Sequence, residues 1–238
     1  MSIRQFINKQ RAKFYNKVTD YHLVKQISVA VVIVFLSLLL IEVIIATLFG
    51  PTDYAIWTHM ISDLGGRRHT PVPILYDITC VIGGIFTIPL TFYIENLMAP
   101  LPTKRNIGNQ HYSRLRFRLS SNAFFFSILG NLAYIGVGIW SEDRNYDLLD
   151  FAGYHDVFSF FSFAGFSLGA FFIGWIVVLY DTKINKIFGI YGIFCPITML
   201  ILFLVTMEAF WEWMLLFSIL LWIIPLALTI FLKSEFAP

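Results

Sequence analysis

ISVAVVIVFLSLLLIEVIIATLF, residues 27–49, is a run of 23 residues in which the only charged side chain is Glu42. A helix needs about 20 consecutive apolar residues to cross the hydrocarbon core of a bilayer. The many β-branched residues do not indicate a strand, because strands of a membrane barrel alternate apolar and polar residues. The run therefore predicts a membrane-spanning helix.

Five more apolar stretches of similar length follow along the chain. They run from Asp77 to Leu97, Phe117 to Trp140, His155 to Tyr180, Ile187 to Met207 and Trp211 to Leu232. The composition agrees, since 58% of the 238 residues are hydrophobic and 13% are charged, whereas soluble domains carry about 25% charged residues. We expect an all-α polytopic membrane protein, with a basic N-terminal segment (1–26), a six-helix transmembrane bundle (27–232) and a short tail (233–238).

The basic residues are distributed unequally between the two sides that this topology defines. Fourteen of the 17 lie on the side of the termini: Arg4, Lys9, Arg11, Lys13, Lys17, Lys25, Lys104, Arg105, Arg114, Arg116, Arg118, Lys183, Lys186 and Lys233. Positively charged loops stay in the cytoplasm. The sequence therefore predicts a multi-pass protein of the cell membrane with both termini cytoplasmic. The net charge of +2 does not indicate a nucleic-acid partner.

The acidic residues are concentrated on the opposite, outer side. Ten of the 15 lie there or at the adjoining helix ends: Asp53, Asp63, Asp77, Glu142, Asp143, Asp147, Asp150, Asp156, Glu208 and Glu212. His59, His69 and His155 belong to the same side. Because the orientation rule uses only basic residues, this second asymmetry is independent information, and it places any polar site at the outer face.

The first outer loop, Pro51 to His69, combines apolar and aromatic residues with ionisable ones. We expect a short helix over residues 53–64 that ends at Gly65-Gly66, in keeping with glycine at helix C-termini. On such a helix His59 and Asp63 would share one face. Two interpretations of the loop remain open.

In the functional interpretation, Asp63 and His59 belong to a polar pocket beneath the outer surface, as general acid/base groups or metal ligands. Ionisable groups near membrane depth favour a functional role because their burial in lipid is costly. In the structural interpretation, Ser62 and Asp63 hydrogen-bond backbone amides, and Arg67 or Arg68 anchors lipid phosphates.

A second polar element, Tyr154-His155-Asp156, lies where the fourth apolar stretch begins. His155 together with His59 and Asp63 would form a His/Asp set for a divalent metal, although the spacing matches no zinc signature. Asp156 suits a helix N-terminus through the helix dipole or a contact to a lipid headgroup. The sequence does not identify a cofactor.

For the other polar residues, the sequence favours structural roles. Glu42 should face protein and meet a partner from the outer cluster. Glu208 and Glu212, next to tryptophans, are typical of an interfacial aromatic belt, and Asn131 suits hydrogen bonding between helices. The acidic run from Ser141 to Asp150 is typical of a solvated loop. A weak calcium site is the alternative for this run, although its spacing is not that of an EF-hand.

The string His59-Met-Ile-Ser-Asp-Leu-Gly65 resembles the hallmark loop of domain-of-unknown-function family 998, prokaryotic six-helix membrane proteins with Asn-x-Ile-Ser-Asp-Leu-Gly. It is also similar to the loop of Frag-type and autophagy-modulator membrane proteins. The matching residues are 61–65, and His59 stands where the family commonly has Asn, so no ligand role carries over to it. The resemblance implies the six-helix fold and, since the eukaryotic proteins work around lipid remodelling and lipid-anchored proteins, a lipid-facing role.

Three functions are compatible with these residues. The first is binding or processing of a lipid headgroup or lipid-linked molecule, with Asp63, His59 and His155 as acid/base groups or metal ligands and with Arg67, Arg68, Ser62 and Asp156 around the headgroup. The second is transport of a small solute or ion, and the third is a non-catalytic scaffold. Membrane lipids are the expected partners. Enzymatic activity and assembly into a homo-oligomer remain open.

Overall fold

The computed structural model describes residues 3–98, 113–143 and 153–232. These residues form seven α-helices and a short 3-10 helix at Ser62–Gly65, without any strand. The α-helices are α1 (Ile3–Val18), α2 (Tyr21–Phe49), α3 (Ile74–Met98), α4 (Arg114–Ile139), α5 (Tyr154–Leu179), α6 (Lys186–Thr206) and α7 (Ala209–Leu232).

Within the described ranges, the six helices α2 to α7 are long and apolar enough to cross a membrane. The protein is therefore an all-α, multi-pass membrane protein built as a six-helix bundle, as the apolar stretches predict. Five of the six helices begin within three residues of the predicted position, and α2 begins six residues earlier, at Tyr21. The Asp20 side chain caps α2 by accepting a hydrogen bond of 2.8 Å from the backbone N–H of Leu23, which satisfies one of the free donors at the helix start.

Hydrogen bonds between helix termini define two ends of the bundle. At one end the Ser141 hydroxyl, just after α4, donates to Asp77 at the start of α3 (2.9 Å). At the other end Tyr21 of α2 donates to the Phe231 carbonyl of α7 (3.2 Å). We call the first the loop end, because segment 50–73 (the loop segment) covers it, and the second the basic end.

Helices α4 and α5 pack closely through two glycines. A Cβ atom on Gly165 would lie 2.5 Å from the backbone nitrogen of Gly130, closer than non-bonded atoms can approach. Without a hydrophobic effect to hold helices together in lipid, such small residues allow the backbone contact that stabilises membrane bundles. This packing brings the interiors of α4 and α5 into backbone contact.

The prediction of a helix over residues 53–64 is wrong. The loop segment forms turns there, followed by the 3-10 helix Ser62–Gly65. Backbone groups that an α-helix would pair internally bond to side chains instead. The Met60 carbonyl accepts from Tyr54, the His59 carbonyl accepts from Trp213, and the Ile61 N–H donates to Glu212. Tertiary partners thus replace the local hydrogen-bond ladder.

Some predictions fall outside the described residues. Of the acidic run 141–150, only residues 141–143 are described. Lys104, Arg105 and the tail 233–238 also lie outside the described ranges.

Candidate functional site

Helix α7 holds the loop segment in place through two adjacent side chains. The backbone N–H of Ile61 donates to Glu212 Oε2 (2.6 Å), and the indole N–H of Trp213 donates to the His59 carbonyl (3.1 Å). Both side chains are buried, with 4% and 2% of their surface exposed. A buried backbone donor is costly to leave without a partner, so these two contacts hold the centre of the loop segment against the bundle.

This arrangement differs from the expected aromatic belt. Glu208 is exposed, as an interfacial residue would be, whereas Glu212 points into the protein. The two residues are four positions apart, and Glu208 precedes the first residue of α7. Glu212 is thus a supporting residue of the loop end that sequence reasoning assigned to the membrane interface.

Tyr54 lies under the loop segment, with 2% of its surface exposed. Its hydroxyl donates to the Met60 carbonyl (3.0 Å), and its ring stacks on the His59 ring with centroids 5.1 Å apart. Burial, followed by the negative charges of Asp63 and Glu212, raises the pKa of Tyr54 well above its ordinary value. The hydroxyl therefore stays protonated and remains a donor.

Asp63 connects two parts of the loop segment. One carboxylate oxygen, Oδ2, accepts from the Met60 N–H (2.8 Å), and the other, Oδ1, lies 3.6 Å from Nε2 of His69. The opposite ring nitrogen of His69 lies 3.2 Å from the Thr52 hydroxyl. The chain Asp63–His69–Thr52 places a carboxylate, an imidazole and a hydroxyl in the order that general-base chemistry uses.

His59 does not pair with Asp63 among the described contacts. Its Nδ1 accepts from the Ala55 N–H (3.3 Å) and lies 3.0 Å from the Thr58 hydroxyl. An acceptor Nδ1 leaves the proton of a neutral imidazole on Nε2. The ring also lies edge-on to His69, with centroids 5.4 Å apart. His59 therefore packs beside the Asp63–His69 pair as a neighbour.

A polar pocket of about 260 Å³ opens at the loop end. The residues around it, which we call the loop-end pocket, are Gly66, Arg68, His69, Glu142 and Asp143. The Arg68 backbone N–H donates to Asp143 Oδ2 (3.3 Å). A Cβ on Gly66 would lie 3.4 Å from the Asp143 carboxylate and 3.5 Å from that of Glu142, so both carboxylates lie over this glycine. The pocket is therefore lined by both basic and acidic residues.

One of the acidic residues that line the pocket has an unusual carboxyl group. Partial burial, and after it the charges of Asp63, Asp143 and Asp156, raise the pKa of Glu142 to about 7, and Arg68 opposes this shift. The Glu142 side chain still keeps an exposed surface. Its charge therefore changes near neutral pH and depends on its neighbours.

His155 has a separate partner. Its Nδ1 lies 2.8 Å from the Trp140 carbonyl at the end of α4, and no described contact joins it to Asp63 or His59. Within the described residues, no three His, Cys, Asp or Glu side chains lie close enough together to hold a metal ion. The candidate ligands His59, Asp63 and His155 form no such group. His155 instead ties the beginning of α5 to the end of α4.

Beneath the loop segment lies a second polar layer inside the bundle. The Thr79 hydroxyl donates to the Glu42 carboxylate, and Ser141 donates to Asp77. Glu42 is 3% exposed and faces protein, as expected for an acid within a membrane helix. Its second oxygen, Oε2, has no hydrogen-bond partner among the described residues.

The remaining predicted headgroup residues lie around the pocket. Ser62 is buried at the start of the 3-10 helix, and Arg67 is exposed outside the pocket lining. Asp156 is exposed and contributes to the field at Glu142. Sequence reasoning missed His69 and Thr52, although the clustering of histidines on this side already includes His69.

Comparison with protein-family models, with curated proteins and with solved structures gave no match in any of the three. The fold and the site therefore define the class: a multi-pass helical membrane protein with a structured polar loop covering one end of its bundle.

Proposed function

We propose that this protein binds the headgroup of a membrane lipid, or of a lipid-linked molecule, in the loop-end pocket. The observation that carries the proposal is the pairing of opposite charges around one pocket. Arg68 provides the donors for a phosphate, since arginine binds phosphate oxygens in pairs. Glu142 and Asp143 line the same pocket and suit an amine. A zwitterionic headgroup carries both groups.

The location of the pocket supports a ligand from the membrane. It lies at the ends of α3 and α4, where membrane-spanning helices meet the polar interface, and lipid headgroups occupy that depth. We further propose the orientation that the basic residues predict, with both termini in the cytoplasm and the loop end on the outer face of the cell membrane. The resemblance of residues 61–65 to family 998 and its lipid-associated relatives is consistent with this role.

Beside the loop-end pocket, the Asp63, His69 and Thr52 side chains also provide groups for a chemical reaction on the bound lipid. In a hydrolytic step, His69 would accept the proton of the Thr52 hydroxyl as the Thr52 oxygen bonds to the headgroup phosphorus. The phosphoester bond to the headgroup alcohol would break, and the imidazolium, stabilised by Asp63, would return the proton to that alcohol. Water would then hydrolyse the phosphothreonine. Release of a free headgroup from the bound lipid would reveal this step.

Retention of lipid by the purified protein tests the proposal. Wild type, Arg68→Ala and the matched control Arg67→Ala are purified from the same membranes, and their lipids are identified by mass spectrometry. We expect wild type and Arg67→Ala to retain a zwitterionic lipid that Arg68→Ala loses by about tenfold, the equivalent of one charge-assisted contact. Equal retention in all three proteins would contradict the proposal.

A second candidate function, proton- or cation-coupled transport, is favoured by one observation. Glu42 is buried within a membrane-spanning helix and has one oxygen without a described partner, and such intramembrane acids commonly mark ion or proton pathways. Ion flux in proteoliposomes that is abolished by Glu42→Gln would support transport. Flux that is equal in empty and protein-containing liposomes would reject it.

A further inference from the structure

The bundle contains a cavity of about 150 Å³ between α2, α3, α4, α5 and α7. We call it the bundle cavity. Its wall is almost entirely apolar and includes Val31, Leu90, Ala123, Ile173, Trp222 and Ala227. It extends along α3 from Gly83 to Met98, which corresponds to about 22 Å at 1.5 Å per residue. The loop-end pocket contributes none of its lining residues.

The cavity has a lateral opening between α2 and α7. These two helices approach each other closely at few positions, and the hydrogen bonds that join them lie at the basic end, from Tyr21 and Lys25 to the Phe231 carbonyl. Leu36 on α2 and Ile223 on α7 line the cavity and keep exposed surface. Because the bundle stands in a bilayer, this opening faces hydrocarbon.

The dimensions and chemistry fit one hydrocarbon chain. One leaflet contributes about 15 Å of hydrocarbon, half of the roughly 30 Å core, so a chain from a single leaflet fits within the cavity length. If no chain filled the cavity, the apolar side chains of its wall would lose van der Waals contacts, which is unfavourable.

The polar part of the cavity wall lies at the basic end of the bundle. Ser28 and Ser120 line it there, each about two turns into its helix, and are 3% and 2% exposed. Neither hydroxyl has a hydrogen-bond partner among the described residues, although helical serines commonly bond the carbonyl one turn back. Buried hydroxyls without partners are costly, and the carbonyl of an acyl chain is an acceptor for both.

Such a chain could belong to a free fatty acid or to an esterified lipid, and Glu95 discriminates between these two sources. It lines the same end of the cavity and accepts a hydrogen bond of 2.8 Å from the Tyr15 hydroxyl of α1. The carboxylate of a free fatty acid would meet this acid, and like charges repel. An esterified chain, whose carbonyl is neutral, avoids the repulsion.

We infer that the bundle cavity holds one esterified acyl chain of a membrane lipid, which enters between α2 and α7 and places its carbonyl near Ser28 and Ser120. This inference goes beyond the headgroup proposal, since the cavity and the loop-end pocket lie in different parts of the bundle and are tested by different variants.

Photo-crosslinking tests the inference with the full chain in nanodiscs. The probes are phosphatidylcholine with a diazirine in one acyl chain and a diazirine fatty acid, and labelled peptides are identified by mass spectrometry. In wild type we expect the phosphatidylcholine probe to label cavity residues such as Phe124 and Trp222. Ala123→Phe fills the cavity and should reduce this labelling by about tenfold, the loss expected from displacing two methylene groups.

Ala30→Phe is the matched control, because Ala30 lies on the exposed face of α2, and its cavity labelling should equal that of wild type. Ala227→Leu provides a milder cavity filling if Ala123→Phe does not fold, as judged by thermal melting. Arg68→Ala should leave the labelling unchanged even if it abolishes headgroup retention. Cavity labelling that persists in every folded cavity variant would overturn the inference, and so would labelling by the fatty acid alone.

Discussion

The Glu212 carboxylate and the backbone N–H of Ile61 form a hydrogen bond of 2.6 Å across 151 residues of chain. It joins the last helix of the bundle to the loop segment between the first two membrane-spanning helices. Glu212 is 4% exposed and Ile61 also 4%, so the bond is shielded from water. It sets the position of Ser62 and Asp63, which follow directly.

Removal of this bond should loosen the loop segment. Glu212→Leu leaves the buried Ile61 N–H without an acceptor, which costs about 1–3 kcal/mol, whereas Glu212→Gln keeps an acceptor oxygen and should be milder. Glu208→Leu, four positions earlier and exposed, is the control. Thermal melting and the rate of limited proteolysis within residues 50–73 measure the effect. Unchanged proteolysis in Glu212→Leu would show that the bond does not hold the segment.

We expect Asp63 to contribute both to the folding of the loop segment and to the binding of the headgroup. Two variants of Asp63 separate these roles. Asp63→Ala removes the acceptor of the Met60 N–H and should lower stability by about 1 kcal/mol. Asp63→Asn retains an acceptor oxygen but removes the charge next to His69. We expect Asp63→Asn to melt like wild type and to retain less headgroup lipid. If it retains lipid fully, Asp63 serves only the folding of the loop segment.

The loop end should become less stable as the pH rises through the titration of Glu142. Its pKa is 4.5 ordinarily and about 7 in the folded protein, so the folded state binds this proton more tightly. The protonated carboxyl favours folding at low pH, and that contribution is lost between pH 4.5 and about 7. Melting temperatures measured across this range should fall more steeply for wild type than for Glu142→Gln.

At the acidic limit the two proteins should melt alike, because Glu142 is then uncharged in both. Above neutral pH Glu142→Gln should be the more stable protein. Parallel melting curves over the whole range would contradict the environment described for Glu142.

The orientation of the bundle is measured by cysteine labelling. Arg67 is exposed at the loop end. Lys186 is exposed at the start of α6, at the opposite end of the bundle. In a background with Cys195→Ala, a membrane-impermeant maleimide should label Arg67→Cys on intact cells and Lys186→Cys only after permeabilisation. The native Cys80 is buried and should stay unlabelled. The reverse pattern would place the loop end in the cytoplasm.

The six-helix architecture was predictable because each span has to satisfy its backbone hydrogen bonds internally in lipid. The apolar length alone therefore determines helix existence, and the bounds of α3 to α7 differ little from the prediction. Helix α1 was not predicted, since its residues are polar and carry no apolar run. Its position depends on tertiary contacts such as the Tyr15–Glu95 hydrogen bond.

The clustering of acidic and histidine residues at one end of the bundle was predictable from the sequence, but the contacts among them were not. That this end is the outer one, and that Asp63 serves a ligand, stay predictions. The partner of Asp63 was not predictable from helical spacing, since the loop segment uses side chains from α7 as hydrogen-bond partners and brings His69, rather than His59, to its carboxylate. Contacts over such sequence separations leave no local pattern.

The binding of a lipid headgroup in the loop-end pocket can be seen in an experimental structure of the protein in nanodiscs of its native lipids. We expect headgroup density in this pocket, with a phosphate against Arg68 and an amine near Glu142 and Asp143. A well-resolved pocket that contains only water, while lipids are ordered elsewhere around the bundle, would contradict it.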